Sequence, residues 1–383
     1  MKHKNKNKRL CVITTTRAEF GLLKNLILKF NKSKSIKVDL IVSGTHLIKK
    51  FGNTFSEIEQ DKIKIFKKIN LNHKKDGEFD INNLNIEFSS SLNKIFNKVN
   101  YDGLVLLGDR SEMLCAAIIA KTYNIPIFHI HGGEETESTY DNFFRKAISQ
   151  LSTLHFVAHE RYKKNLIKMN ISNNQIFIVG GLGASRVSKM KFLNKLDLNK
   201  KLKINFNKDT LVVTYHPETL NLKNLEKDFD NLINSLNYFK NENIIFTAPN
   251  LDPGHNKIIK RIKKFCKKRD KNSFYFKSFG GSLYYNVLNH SKLIIGNSSS
   301  GILEAPSFKI GTINIGNRQK GRIQANSIIN CEPKKKLLIK SINKLLKNKK
   351  FLKKLLKVKN PLFKQNTEKK IFSKIENCLH GKI

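Results

Sequence analysis

Between His129 and Asp141 the chain reads HIHGGEETESTYD, with two histidines, three glutamates and an aspartate in thirteen positions. The whole sequence of 383 residues has only 30 acidic residues against 72 basic ones, so this density is not background. A carboxylate whose pKa is raised by burial or by a like charge can act as a general base or acid. Glu134, Glu137 and Asp141 are the candidates. Asp141 also fits a second reading, charge compensation at a helix N-terminus, because Phe143, Phe144, Ala147, Ile148 and Leu151 follow it at helical spacing. His129 and His131 alternate along a strand and would face one side. A metal site would need a third ligand at a defined spacing. None is defined, so no metal is expected.

Other candidates stand at the ends of apolar runs. Arg17 follows the first such run in TTTRAEFG and could hold a phosphate with its planar fork, or pair with Glu19. Asp109 ends LVLLGD. A carboxylate there must be solvated in a cleft, cap the next helix or pair with Arg110. His216 ends TLVVTYH, just before Pro217. In GNSSSGILEA (296–305), Ser299, Ser300 and Gly301 lead from a strand into a helix. Small hydroxyl residues and free amides there suit a phosphate, and Glu304 one turn later suits a ribose diol; plain serine capping is the other reading. No Gly-Lys-Ser/Thr follows, so this is not a Walker loop.

These residues need strands that end at one edge. Apolar runs at 10–16, 38–43, 104–109, 125–130, 154–159 and 176–180 alternate with amphipathic segments. The alternation restarts after Gly183, at 210–216, 243–249, 273–278, 292–297 and 311–316. This predicts an α/β fold with parallel sheets covered by helices on both faces. Residues 1–185 form the first domain and 186–360 the second, with the polar stretch 187–207 read as the crossing. Residues 334–359 carry leucines among lysines and predict one amphipathic helix.

The net charge of +42 would ordinarily point to nucleic acid. Only ten of the 72 basic residues are arginine, and lysine rises together with asparagine, the drift of AT-rich codons. No nucleic-acid partner is expected, and a basic field equally suits an anionic small molecule. No apolar run approaches the ~18–20 residues of a membrane span. The five scattered cysteines read as buried free thiols of a reducing, cytoplasmic protein.

The stretches TTTRAEFGLL, FGNTFSEIEQD, VLLGDRSE, IPIFHIHGGEET, YDNFFRKAISQLSTLHF, HPETL, IGNSSSGILEAPS, TINIGNRQKGR and NPLF together resemble the hydrolysing UDP-N-acetylglucosamine 2-epimerases of bacterial sialic-acid and nonulosonate synthesis. The resemblance spans nearly the whole chain. It implies two Rossmann-like domains facing a cleft, the glycosyltransferase-B arrangement, with residues 361–383 packing back on the first domain. It implies that Arg17, Ser299, Ser300 and Gly301 bind the diphosphate and Glu304 the ribose. Asp109, Asp141 and Glu134 would act on the sugar, with His131 at the substrate, and His216 would stabilise the departing diphosphate. Some relatives carry glutamate where this chain has His131. The implied reaction converts UDP-N-acetylglucosamine and water to N-acetylmannosamine and UDP through a glycal, with no cofactor, in a homodimer or homotetramer. The same chemistry on UDP- or GDP-N,N'-diacetylbacillosamine, for legionaminic acid, is the alternative. A glycosyltransferase of the same architecture is a more distant one.

Overall fold

The computed structural model describes residues 7–48, 54–72, 78–136, 140–218, 221–250 and 252–382. It divides into two compact units: Met1–Glu134, Asp141–Arg186 and Leu362–Ile383 form the first, Glu135–Tyr140 and Val187–Pro361 the second. The first runs β1 (Lys8–Thr14), α1 (Arg17–Asn31), β2 (Ile36–Val42), α2 (Phe55–Gln60), β3 (Ile65–Lys68), α3 (Glu78–Phe96), β4 (Gly103–Leu107), α4 (Ser111–Thr122), β5 (Ile127–Ile130), α5 (Asp141–Leu151), β6 (Leu154–Val157), α6 (Glu160–Lys168), β7 (Ile176–Ile178) and α7 (Leu182–Lys189). The second runs α8 (Lys195–Leu202), β8 (Thr210–Thr214), α9 (Leu225–Leu236), β9 (Asn243–Thr247), α10 (His255–Lys268), β10 (Ser273–Phe276), α11 (Gly280–Asn289), β11 (Leu293–Gly296), α12 (Ser300–Leu303), β12 (Gly311–Ile315), β13 (Ile328–Cys331), α13 (Lys335–Lys347) and α14 (Lys349–Leu356). The chain then returns to the first unit as α15 (Thr367–Leu379).

Among the described residues the first unit has a seven-stranded sheet in the order β3-β2-β1-β4-β5-β6-β7, with every pairing parallel. β1 is apolar on both faces, as a central parallel strand must be. Leu10 and Val12 pack with Phe20, Leu23 and Ile27 of α1 and with Ile371, Ile375 and Leu379 of α15. Cys11 and Ile13 point the other way, to Phe88, Leu92 and Phe96 of α3 and Met113 of α4.

The second unit repeats the plan with a six-stranded parallel sheet, β10-β9-β8-β11-β12-β13. Leu211, Val213 and Ile295 meet α9, α10 and α13, while Val212, Ile245 and Ile294 face Val287 and Leu288 of α11.

Four details differ from the sequence reading. The edge strands β3 and β13 lie outside the apolar runs read from the sequence: Phe66, Lys67 and Lys68 of β3 are exposed, and β13, though mostly apolar (IINC), has four residues and is half open. Segment 187–207 is packed rather than a bare crossing, with Val187, Leu198, Ile204 and Phe206 buried in the second core. The helix expected over 334–359 is broken at Asn348, whose Oδ1 accepts from Phe351 N at 2.9 Å and so starts α14. Of the free cysteines only Cys11 and Cys331 are buried; the other three are half-buried.

Each sheet reverses its strand order once, between β1 and β4 and between β8 and β11. The carboxyl ends of the strands flanking such a switch point are where open α/β sheets bind ligands. Arg17 follows β1 and Asp109 follows β4; His216 follows β8 and Ser299 follows β11.

Candidate active site

In the first unit a capping box starts α1. Thr16 Oγ1 accepts from Glu19 N at 3.3 Å, and the Glu19 carboxylate accepts from Thr15 N at 2.7 Å and Thr16 N at 3.2 Å. Arg17 is therefore the first residue of α1, at the switch point. Glu19 serves this turn and lies 3.7 Å from Arg110 Nε. Arg110 also donates from Nε and Nη2 to Glu112, both at 3.3 Å. Burial works against its charge, but Glu112, Glu19 and Asp141 outweigh it and hold the guanidinium more firmly protonated than usual.

Asp109 comes one residue after Gly108, which takes the left-handed backbone at φ +79°. It does not cap α4; Arg110 occupies that position. Its Oδ2 accepts instead from Nη2 of Arg145, a side chain on α5 with 1% exposure. Arg145 Nη1 also donates to Glu134 O at 2.8 Å and to Asn142 Oδ1 at 3.5 Å. One buried guanidinium thus fixes the Asp109 carboxylate and the Glu134 backbone together.

β5 ends at Ile130, and His131 turns left-handed at φ +68°, an uncommon conformation for a histidine. Strand alternation therefore stops before it. His129 instead enters the core, 3.1 Å from Ser149 Oγ and 2.8 Å from Gly108 O, and burial pushes its pKa down to about 4. The turn brings His131 Nδ1 within 2.6 Å of Glu134 Oε1. Glu134 is 2% exposed, and His131 Nε2 is buried with no hydrogen-bond partner. Asp141 is half-buried at the first turn of α5. Glu137 lies outside the described residues. Among those described, no group of three or more His, Cys, Asp or Glu side chains could hold a metal ion.

In the second unit His216 is tied into the end of β11. Its N–H donates to Asn297 Oδ1 at 2.7 Å, and Asn297 Nδ2 donates back to His216 O at 2.8 Å. His216 Nδ1 accepts from Asn250 N at 2.9 Å, which places the ring proton on Nε2. Burial, then the field of Arg318, depress its pKa well below 6.5, so the ring is neutral. Asn297 O in turn accepts from Gln319 Nε2 at 2.8 Å and Arg318 Nη1 at 3.3 Å.

Gly296 brings β11 against β8. At φ +134° a Cβ there would lie 1.9 Å from Thr214 O, so only glycine fits. Ser299 precedes α12 and makes no side-chain cap bond. Ser300 Oγ accepts from Tyr284 Oη at 3.1 Å. A Cβ on Gly301 would meet the Thr312 methyl at 2.8 Å, and Thr312 Oγ1 donates to Gly301 O at 2.8 Å. Glu304 is 6% exposed at the end of the four-residue α12.

The first unit gathers Asp109, His131 and Glu134 around Arg145. The second gathers His216 and Asn297, next to the serines. Arg145, Asn297 and Arg318 were not read as site residues, although all three sit in the quoted motifs YDNFFRKAISQ, IGNSSSG and TINIGNRQKGR.

A family model described as UDP-N-acetylglucosamine 2-epimerase matches residues 28–376. The chain belongs to this family. The epimerase is 38% identical, over 85% of its length and 84% of the relative's, to the GDP/UDP-N,N'-diacetylbacillosamine 2-epimerase (hydrolyzing) of Campylobacter jejuni. It is 36% identical to the polysialic acid biosynthesis protein P7 of Escherichia coli, over 94% of this chain and 91% of that one. Its fold matches the UDP-GlcNAc 2-epimerase of Neisseria meningitidis, solved bound to UDP-GlcNAc, with a TM-score of 0.81 at 17% identity, over 96% of this chain and 99% of that one. The chain is a hydrolysing nucleotide-sugar 2-epimerase with the two-domain α/β fold of these enzymes. No described helix is long and apolar enough to cross a membrane.

Proposed function

We propose that this epimerase acts on a UDP-linked 2-acetamido sugar, eliminates UDP to leave a glycal, and hydrates the glycal to the free 2-epimer. The observation that carries the reading is the His131–Glu134 pair, 2.6 Å apart, held beside Asp109 by one buried arginine. A carboxylate bound to Nδ1–H orients an imidazole and leaves Nε2 free to take a proton. In the elimination a base takes the C2 proton, its electrons form the C1–C2 double bond, and the C1–oxygen bond breaks toward the diphosphate. His131–Glu134 and Asp109 are the groups assigned to that proton and to its return on the opposite face, with Asp141, whose charge acts on Arg110, as a further carboxylate. Water supplies the hydroxyl at C1.

His216 stabilises the leaving group as a neutral donor through Nε2–H, not as a cation. Arg17 and the Ser299–Ser300–Gly301 turn are assigned to the diphosphate and Glu304 to the ribose.

For the sugar, the first reading is N,N'-diacetylbacillosamine. Relatives 38% and 31% identical carry that substrate in their names. UDP-N-acetylglucosamine, giving N-acetylmannosamine, is the second reading, favoured by the polysialic-acid relative that covers 94% of this chain.

Proton NMR of parallel incubations with both UDP-sugars in heavy water tests the class and the sugar together. Deuterium is expected at C2 of the product, ¹⁸O-water is expected to label C1, and the higher kcat/KM identifies the sugar. Retention of the original C2 hydrogen would exclude elimination.

A further inference from the structure

α4 is apolar all round, yet only part of it is covered. From Met113 to Ala120 it reads MLCAAIIA, with no charged side chain. Met113, Ala116, Ala117 and Ala120 are buried in the first unit's core. Leu114, Cys115 and Ile119 are half-buried, and Ile118 is 50% exposed. A helix that is hydrophobic on every side is normally covered on every side. The neighbouring helices continue the feature. α3 meets α4 through Ser89, which bonds Cys115, and through Asn93, whose Oδ1 accepts from Tyr123 Oη at 2.9 Å. Ile86 stands one turn before Ser89 on that side of α3 and is 67% exposed. α5 shares the same core through Ile148 and Leu151, and its Phe143 is 64% exposed.

Charge decides what covers this face. Lysine surrounds the apolar side chains exposed elsewhere: Phe66, Ile167, Leu196, Tyr238, Leu356 and Phe363 each stand within two positions of one. Ile86, Ile118 and Phe143 do not. A nucleic acid or an anionic surface would be met by lysines, so a patch without them suits an uncharged, apolar partner. The chain carries +42, and two copies repel unless they meet where lysine is absent. A two-fold axis through such a patch packs it against itself.

We propose that a second copy of this chain packs on the face formed by α3, α4 and α5, with Ile118 at its centre, and that this contact holds the first unit's acids in their working arrangement. Asp109 stands two residues before α4, and its partner Arg145 lies on α5, so the pair depends on how these two helices are held together. This second half rests on the reading that Asp109 and Glu134 act on the sugar.

Sedimentation equilibrium and steady-state kinetics of the parent, Ile118→Lys, Ile86→Lys and Tyr238→Lys test it, with circular dichroism to check folding. Ile118 and Ile86 are exposed within one protomer, so neither lysine disturbs its core. Each is expected to weaken self-association by about 100-fold or more, because the two-fold brings two like charges into the apolar centre. Tyr238→Lys, on the second unit, is expected to keep the parent's mass. The dissociated variants should keep the parent's affinity for UDP and lose at least about tenfold in kcat, and the parent's kcat per protomer should fall on dilution through its dissociation range. A parent that is monomeric at every concentration, or lysine variants that keep its mass, would overturn the interface. Dissociated variants with the parent's kcat would overturn the positioning role. A parent inactive on both UDP-sugars would sink the functional reading instead, while the masses still decide the face.

Discussion

Arg145 is the residue on which the first unit's chemistry depends, because it fixes one carboxylate and one backbone carbonyl at once. Asp109→Asn keeps the shape of the side chain but removes its charge. Turnover is expected to fall roughly 10²–10⁴-fold, the usual range for a positioned acid or base. The same change leaves Arg145 buried without its counter-charge, so stability should also fall, by about 3 kcal/mol, the low end for a broken buried pair because Asp109 is partly solvated. Steady-state kinetics and urea unfolding of the one variant check both effects, and loss of activity without loss of stability would contradict the pairing. That Asp109 and His216 stand just past the ends of β4 and β8 was legible in the sequence, because the apolar runs before them mark those strands. Arg145 was not. Its pairing spans 36 positions and exists only because β4 and β5 are neighbours in the sheet. The left-handed turn at His131 was equally hidden, since nothing in HIHGGE requires a histidine to take it.

Strands with apolar residues on both faces were legible, and the four-residue edge strands β3 and β13 were not: an edge carries the lysines of β3 well, and the apolar run of β13 is short and half open. At the inner strands, Gly296→Ala would drive a methyl into the Thr214 carbonyl where β11 meets β8. A loss of about 3 kcal/mol or more is expected in urea unfolding; a loss below about 1 kcal/mol would show that the two strands can part cheaply. The first unit also hides three histidines held neutral by burial. The pKa is pushed down to about 4 for His46 and His129 and to about 3 for His155, from an ordinary 6.5. In that interval the unfolded chain binds more protons than the native one, so stability rises with pH there and is lost as pH falls from about 6.5 toward 4. The slope is up to about 1.4 kcal/mol per pH unit for each histidine. Urea midpoints at pH 7, 6 and 5 should fall in that order, and His155→Phe should flatten the dependence by one histidine's share. Equal midpoints across the series would contradict the buried, neutral assignment.

At the scale of the whole chain, the first unit is closed by residues that come last. Ile371, Ile375 and Leu379 of α15 are buried against α1 and β1. At about 1.5–3 kcal/mol each, they contribute roughly 5–9 kcal/mol, comparable with the 5–15 kcal/mol that holds a domain together. A chain ending at Pro361 should therefore lose the cooperative melting of the first unit and keep that of the second, which calorimetry and limited proteolysis would separate. Melting of both units unchanged would show that α15 is dispensable. The same return sets an order on synthesis. Residues 187–361 of the second unit are made in one stretch, whereas the first unit waits for residues 362–383 after its residues 1–134 and 141–186 have been made. At ~5–20 residues per second, the interval between the two parts is on the order of ten to forty seconds. Throughout that time the face of the first sheet that α15 will cover stands open on the ribosome, so in the cell the half of the enzyme translated first is the half that finishes folding last.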